Sequence, residues 1–418
     1  MIASYQDHKR FLIMNIIHHF GQVSRTELAR ITGYQLPAIG AITKQLLDEK
    51  ILIETGTVSA GLGRKRIMLQ LNTGYLCAIS ISFSAQSILF TTAQLDGKVL
   101  TRDFIDLAGF EQEDVLLSQI CGTLHQLMDA LIDHCVIGVG VCSPTNDTAE
   151  HPNFQPPAAY RRLDEWIKKY LQPELQKQYS IPIEFYDGNA LATLVEYNFG
   201  LAKGVRDFIC VELSNGFGCS IFCNGKPVTG KSGIAGELGH MTVDTSASKA
   251  QLCYCGKPGC LEQQASLPIL MRNISDTLQR KAYTKLAHHN GAFTLADIAA
   301  ACEQSDALCC YCVKQTAREV GIAIANAVTL LNPAKVILYG RMLALGDYFI
   351  AQVRQTVLEH ALPKLNLRDE DICVSCDLED QLPLGAVFEV FAAYLKKDDF
   401  PWVYQLPQTA DNAASAES

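Results

Sequence analysis

The chain has 418 residues, enough for two or three domains at roughly 150 residues each. With 48% apolar residues against 19% charged it is not a disordered chain, and its longest apolar stretch, Val320 to Leu331, is broken by Asn326 and falls short of the roughly 18 residues of a membrane span. The net charge of −9 excludes a wholly basic nucleic-acid binder, yet it sums +4 over residues 1–72, nine Lys and Arg against five Asp and Glu, and −13 over the remainder.

No uninterrupted apolar segment with a small-residue cleavage site opens the chain, so a secretory signal is not expected and the chain is expected in the cytoplasm. There the 16 cysteines, scattered through apolar stretches, are expected to stay mostly reduced.

Leu12, Ile16 and Phe20, flanked by Ile13 and Ile17, form one apolar stripe and predict a helix over about 6–19. Ser24 and Glu27 have capping-box spacing for a second helix, which Gly33 ends, and Pro37 suits the first turn of a third. Ile39, Ile42 and Leu46 then face inward. Two short helices around Thr32-Gly33-Tyr34, the latter offering Gln35, Ala38, Ala41 and Lys44, match a helix-turn-helix that reads the major groove. Ile51 with Ile53, and Ile67 with Leu69 and Leu71, alternate as strands about the glycine-rich loop Gly56–Gly63, which predicts a wing. At its base, Arg64, Lys65 and Arg66 are placed to neutralise phosphates or enter a narrow minor groove. The alternative is a three-helix cap whose basic residues form a solvated face.

From Leu76 the pattern alternates strands (Leu76–Phe90, Val136–Val141, Ile181–Phe185, Phe208–Leu213, Val336–Tyr339) with helices (Asp114–Asp133, Leu191–Phe199, Val313–Leu331). This predicts an α/β body over 73–395, large enough for two lobes, ahead of a tail over 396–418. The strongest chemical signal is Cys253-Tyr254-Cys255-Gly256-Lys257-Pro258-Gly259-Cys260 with His240 upstream. Three thiolates and an imidazole make a closed tetrahedral site for structural zinc, with glycines allowing the reversal that returns Cys260 to the first two cysteines. The alternative is disulfide pairing, disfavoured in a reducing compartment. The remaining cysteines, Cys309, Cys310 and Cys312 among them, lack such a turn and read as buried or half-buried residues.

The run Glu237-Leu238-Gly239-His240, followed by Cys253-x-Cys255-Gly256-x-x-Gly259-Cys260-Leu261-Glu262, resembles the signature of the ROK family of bacterial sugar kinases and sugar-responsive repressors. With a winged helix-turn-helix over 1–72 the chain is similar to the repressor branch, of the Mlc and NagC type. The resemblance implies an actin-like sugar-kinase fold of two lobes, about 73–185 plus 378–395 and 186–377, with a ligand cleft between them, and dimers or tetramers. Carried over, Glu237, His240 and Glu262 contact sugar hydroxyls, Asp187 takes the kinases' general-base position, and Asn153 also contacts sugar. The segment Gly138-x-Gly140-x-Cys142-Ser143-Pro144 walls the cleft. Tyr186 stands where the kinases usually have a sugar-binding Asn. Simpler roles also exist: Glu237 as a cap or as an orienting partner of His240, and Asp187 as a turn residue.

Phosphoryl transfer needs amides cradling phosphates and an acid to organise magnesium. Where the kinases carry Asp-x-Gly-Gly-Thr, this chain has Ser82-Phe83-Ser84-Ala85-Gln86, without acid or glycine; their second phosphate loop corresponds to Ser214-Asn215-Gly216-Phe217-Gly218-Cys219-Ser220, and their later Gly-Gly pair to Gly340-Arg341. The expectation is therefore a non-enzymatic, DNA-binding repressor of sugar-utilisation genes answering to a sugar or sugar phosphate, the alternative being a kinase that phosphorylates a hexose or amino sugar with ATP.

Overall fold

A computed structural model describes residues 5–58, 66–84, 87–107, 113–143, 163, 165–245, 252–279, 284–289, 293–376 and 378–395. Arg64, Lys65, Asn153, Pro144 and the tail over 396–418 lie outside the described residues, as does the side chain of Asp187.

The amino-terminal segment is built from α1 (Tyr5–Phe20), β1 (Val23–Ser24), α2 (Arg25–Thr32), α3 (Leu36–Asp48), β2 (Leu52–Val58) and β3 (Arg66–Leu71), the strands forming an antiparallel sheet in the order β1-β3-β2. The capping box forms: the Glu27 N–H donates to Ser24 Oγ at 3.3 Å and the Ser24 N–H to Glu27 Oε2 at 2.9 Å. Gly33 closes α2 in the left-handed region at φ 72°, its N–H donating to Ala29 O, and Pro37 lies in the first turn of α3. Arg25 ties the helices to the sheet, donating to Thr43 Oγ1 at 3.1 Å and to Glu54 Oε1 at 2.9 Å.

Two alternations differ from expectation. Leu52 is buried while Ile53 and Ile67 are 39% and 41% exposed. The register shifts at a bulge between Glu54 and Gly56, where Gly56 has φ 130°, and Ile67 lies beyond it. Ile42 is only half-buried, and Thr43 takes the inward position, returning its hydroxyl to Ile39 O at 2.8 Å. Nor does α1 carry a single stripe ending at Phe20. Leu12, Ile13, Met14, Ile16 and Ile17 are all buried and Phe20 is exposed, because α1 meets the carboxy-terminal helix as well as its own sheet.

Ser24→Ala is expected to cost about 1 kcal/mol of stability. The Ser24 N–H and hydroxyl hold the Glu27 carboxyl below its usual range, against a smaller opposing effect of burial. A carboxyl depressed in the folded state stabilises above the ordinary carboxylate range and loses that contribution as the pH falls through its folded value. Chemical denaturation of Glu27→Gln should therefore give a deficit at pH 7 that closes in acid.

The body holds two five-stranded sheets. One runs β6-β5-β4-β7-β8, from β4 (Leu76–Phe83), β5 (Ser87–Gln94), β6 (Val99–Asp106), β7 (Cys135–Ser143) and β8 (Ile183–Asp187). The other runs β11-β10-β9-β12-β13, from β9 (Phe208–Leu213), β10 (Phe217–Cys223), β11 (Lys226–Pro227), β12 (Lys335–Tyr339) and β13 (Ile372–Val374). The order is the same in both, three antiparallel strands followed by two parallel ones. The stretch read as one strand over Leu76–Phe90 is a hairpin, turned at Ser84 by its N–H to Ser87 O.

Helices α4 (Glu113–Ala130) and α5 (Gln172–Gln178, preceded by a π turn over Ile167–Leu171) belong to the first sheet, and α6 (Gly188–Asn198) follows β8. The second sheet is followed by α7 (Leu261–Ala265), α8 (Leu267–Gln279), α9 (Leu295–Glu303), α10 (Ala307–Leu331) and α11 (Gly346–His360). The last helix, α12 (Leu378–Leu395), returns to pack on β4, β5, β7 and α6. A Cβ on Gly138 or Gly140 would come within 2.8 Å of Val390 or 3.0 Å of Ala386 O. These glycines lie within β7 and admit α12, which corrects their assignment to a cleft wall. Cys223 and Cys376 are exposed, unlike the buried or half-buried thiols expected. No described helix is long and apolar enough to cross a membrane.

Candidate metal centre and ligand site

Three backbone segments converge beside the end of β10. Glu237 and His240 bracket a short 3-10 turn over Leu238–His240, Cys253 and Cys255 lie on the reversing loop, and Cys260 precedes α7. The loop is held by its own backbone: the Cys253 N–H donates to Lys257 O at 2.9 Å, the Gly256 N–H to Cys253 O at 2.9 Å and the Leu261 N–H to Met241 O at 2.9 Å. Gly256 and Gly259 have φ 83° and 73°. At Gly259 a Cβ would also fall 1.8 Å from Asp244 O, so the reversal there admits no side chain.

The ligand atoms of His240, Cys253, Cys255 and Cys260 all lie within 4.8 Å of one another. Cys253 Sγ is 3.5 Å from His240 Nδ1 and Cys255 Sγ is 3.6 Å from Cys260 Sγ. Zinc–ligand lengths of 2.0–2.3 Å at tetrahedral angles give ligand–ligand edges of roughly 3.5–3.8 Å, so the donor set fits a closed tetrahedral ion. Burial, followed by the Lys257 ammonium, lowers the His240 pKa and keeps the ring neutral, the form that ligates. Burial pushes the Cys253 thiol up to about 12. At Cys255 burial acts in the same direction, but hydrogen bonds from the Lys257 N–H and the neighbouring thiols outweigh it and bring that thiol below its usual value.

With Nδ1 turned to the thiols, His240 Nε2 faces outward, 3.7 Å from Glu237 Oε2 and 3.1 Å from the Tyr254 hydroxyl. Tyr254 also bonds to Glu262. Burial raises the Glu262 pKa, opposed by bonds from the Tyr254 hydroxyl and the Phe217 N–H. Space for this carboxyl comes from missing side chains: a Cβ on Gly239 or Gly216 would lie 2.8 or 3.0 Å from Glu262 Oε2. Glu237, His240 and Glu262 thus share one polar cluster with the metal centre. Tyr254 at its middle was not anticipated from the sequence. Its signal was its position between two metal ligands, which turns its side chain away from the thiols toward Glu262.

Asp187 ends β8 at the junction with α6. The ring of the preceding Tyr186 packs with Cys142, Leu382 and Ala386, its hydroxyl buried without a hydrogen bond among the described residues. Across the body, the turn from β9 to β10 bears on β12. The Arg341 N–H donates to Ser214 Oγ at 3.1 Å and its guanidinium to Asn215 Oδ1 at 3.4 Å. In the amino-terminal segment Gln35, capping the start of α3, and Lys44 on it are exposed, Ala38 is half-buried, and Arg66 is exposed at the start of β3, 3.8 Å from Glu27 Oε1.

Comparison with known proteins draws the same outline. The ROK family model matches residues 78–390. The chain is 24% identical to a xylose repressor of Bacillus subtilis (strain 168) over 364 residues, 85% of this chain and 88% of that protein. It is 23% identical to the DNA-binding transcriptional dual regulator NagC of Escherichia coli (strain K12), over 92% of each chain. A solved ROK family transcriptional regulator, described as a homologue of the E. coli MLC protein, superposes with a TM-score of 0.73 at 24% identity, covering 93% of this chain and 96% of that one. With its polar cluster, its paired sheets and a match spanning most of its length, the chain belongs to the ROK family.

Proposed function

We propose that the chain is a sugar-responsive transcriptional repressor and not an enzyme. Residues 1–72 act as a winged helix-turn-helix, 73–395 as the sensor with lobes of about 73–185 plus 378–395 and 186–377, and 396–418 as a tail. The observation that carries this is the pairing of an intact polar cluster, Glu237, His240 and Glu262, with a nucleotide face that lacks its acid. Phe83, where the kinases have their first phosphate turn, is buried beside a tight hairpin, and Arg341 covers the turn at Ser214 and Asn215. Zinc on His240, Cys253, Cys255 and Cys260 fixes the loop that carries Tyr254 and leads into Glu262. It orients His240 so that Nε2 faces the ligand, while Glu237 and Glu262 accept from sugar hydroxyls. Asp187 and Asn153 complete the sugar contacts.

Gln35, Ala38 and Lys44 on α3 read base edges, and Arg64, Lys65 and Arg66 neutralise phosphates. A dimer or tetramer sets two such heads roughly 34 Å apart on successive major grooves, and ligand binding alters that spacing. The −13 on the sensor repels phosphates and confines contact to the basic heads. Gel shifts on duplexes selected from a random pool test the assignment. Arg64→Ala with Arg66→Ala should weaken binding and reduce the log–log salt slope by about two. Unchanged affinity and slope would remove the wing from the interface. A coupled ADP-release assay over hexoses and amino sugars should give no turnover; turnover abolished in Asp187→Asn would establish the kinase alternative.

A further inference from the structure

We propose that the outer edge of β6 is an interface between two copies of this chain, joined antiparallel about a two-fold axis at Phe104 so that their first sheets become one. This surface supplies an assembly for operator binding and does not depend on the sugar or zinc assignments.

The two sheets end in the edge strands β6, β8, β11 and β13. Of these β8 has five residues, β13 three and β11 two, the last closing on Pro227. Short strands and proline are ordinary ways of blunting an edge. β6 differs: it runs for eight residues without proline, and among the described residues its outer side pairs with no strand. Its irregularity lies at the start, where the register with β5 shifts between Thr92 and Ala93, leaving Thr101 to Asp106 regular. Within that run Phe104 is 75% exposed. An aromatic side chain on a long open edge invites a further strand.

The occupant follows from the charges. Arg102, Phe104 and Asp106 lie opposite Thr91, Leu89 and Ser87 of β5 and so share one face, while Ile105 turns to the core on the other. A two-fold axis normal to the sheet keeps each face continuous, and its position fixes which residues meet. At Phe104 it sets Arg102 against Asp106 of the second copy, twice, with the two phenylalanine rings side by side between these ion pairs. At Arg102 or Asp103 it opposes like charges directly, and at Ile105 it sets Phe104 against Asp106. Of these registers only the one at Phe104 is complementary in both charge and apolar contact, and what it complements is the same strand.

Sedimentation velocity of the full chain over a dilution series tests this. The wild type should associate. Arg102→Asp and, independently, Asp106→Arg should each raise the dissociation constant at this contact about tenfold or more, since every interface carries the pair twice. Arg102→Asp combined with Asp106→Arg should restore it to within about threefold of wild type, with the melting temperature unchanged in all three. Phe104→Cys supplies a second readout. Mild oxidation with diamide should join two chains through residue 104, located by peptide mass spectrometry against the exposed Cys223 and Cys376, whereas Asp103→Cys should not join to itself. A monomeric wild type, an assembly that the single reversals leave unchanged, or a double variant no tighter than they are overturns the interface, as does Phe104→Cys that fails to join.

Discussion

Cys260→Ser is expected to strip the protein of its metal and to lower its stability by about 3 kcal/mol or more, the scale reached when a structural site loses a ligand. Cys260 is fully buried, stands 3.6 Å from Cys255 Sγ, and is the residue from which α7 starts. Serine keeps the shape but not the soft thiolate donor, so the loop loses the ion that holds its ends. The loss should centre on the loop and the start of α7, whose Leu261 and Ala265 join the core of the second sheet. Atomic absorption should fall from one metal per chain toward none, thermal melting should shift down, and sugar binding should disappear with the displaced Glu262. Cys223→Ser, at an exposed thiol, serves as the control and should change none of these. Because burial holds Cys253 up near about 12 and Cys260 above its usual value, metal uptake must expel thiol protons, and affinity should fall as the pH is lowered. Full metal content in Cys260→Ser would refute the proposed centre.

The second large effect is expected at Gly236→Ala. The residue has φ 97°, and a Cβ there would lie 1.7 Å from Cys219 O, the carbonyl of the residue whose N–H donates to Gly236 O at 2.9 Å. Two backbones in direct contact cannot absorb a methyl by rotating a side chain. The segment must move off β10, at a cost of about 3 kcal/mol, and it carries Glu237 with it. Both melting temperature and ligand affinity should drop, whereas metal content should persist because its four donors lie downstream. Gly40→Ala provides the contrast, since nothing lies within 4 Å of its added carbon and its φ is ordinary. There the helix preference of alanine should stabilise α3 by up to about 1 kcal/mol. Equal melting of the two variants would refute the steric account.

The parts legible in the sequence were those specified by short-range chemistry. Ser24, Glu27, Gly33 and Pro37 state the limits of α2 and α3 through hydrogen bonds closed within a few residues. The spacing of Cys253, Cys255 and Cys260 similarly encodes a loop that returns on itself. Features set by distant partners were not legible. Ile53 looks like an inward residue until Leu52 takes the inward position opposite Leu71, Ile67 does so until it falls beyond the bulge, and Gly138 and Gly140 look like a turn until α12 lies across them. The matching strand orders of the two sheets were not legible in the residues either, because strand pairing is set by contacts between distant segments.

One core cluster joins Leu12, Ile17 and Leu69 to Leu76, Phe391 and Leu395, while Asn15 donates to Leu395 O at 2.6 Å and the Phe11 and Tyr394 rings meet edge to face. An amino-terminal head seated on such a core is not a bead on a string. It cannot swivel on a tether while the sensor stays still, since any rotation would pull α1 from α12 and expose the apolar residues both helices share. Any displacement of the carboxy-terminal helix is then carried to the head directly, through the apolar core the two share.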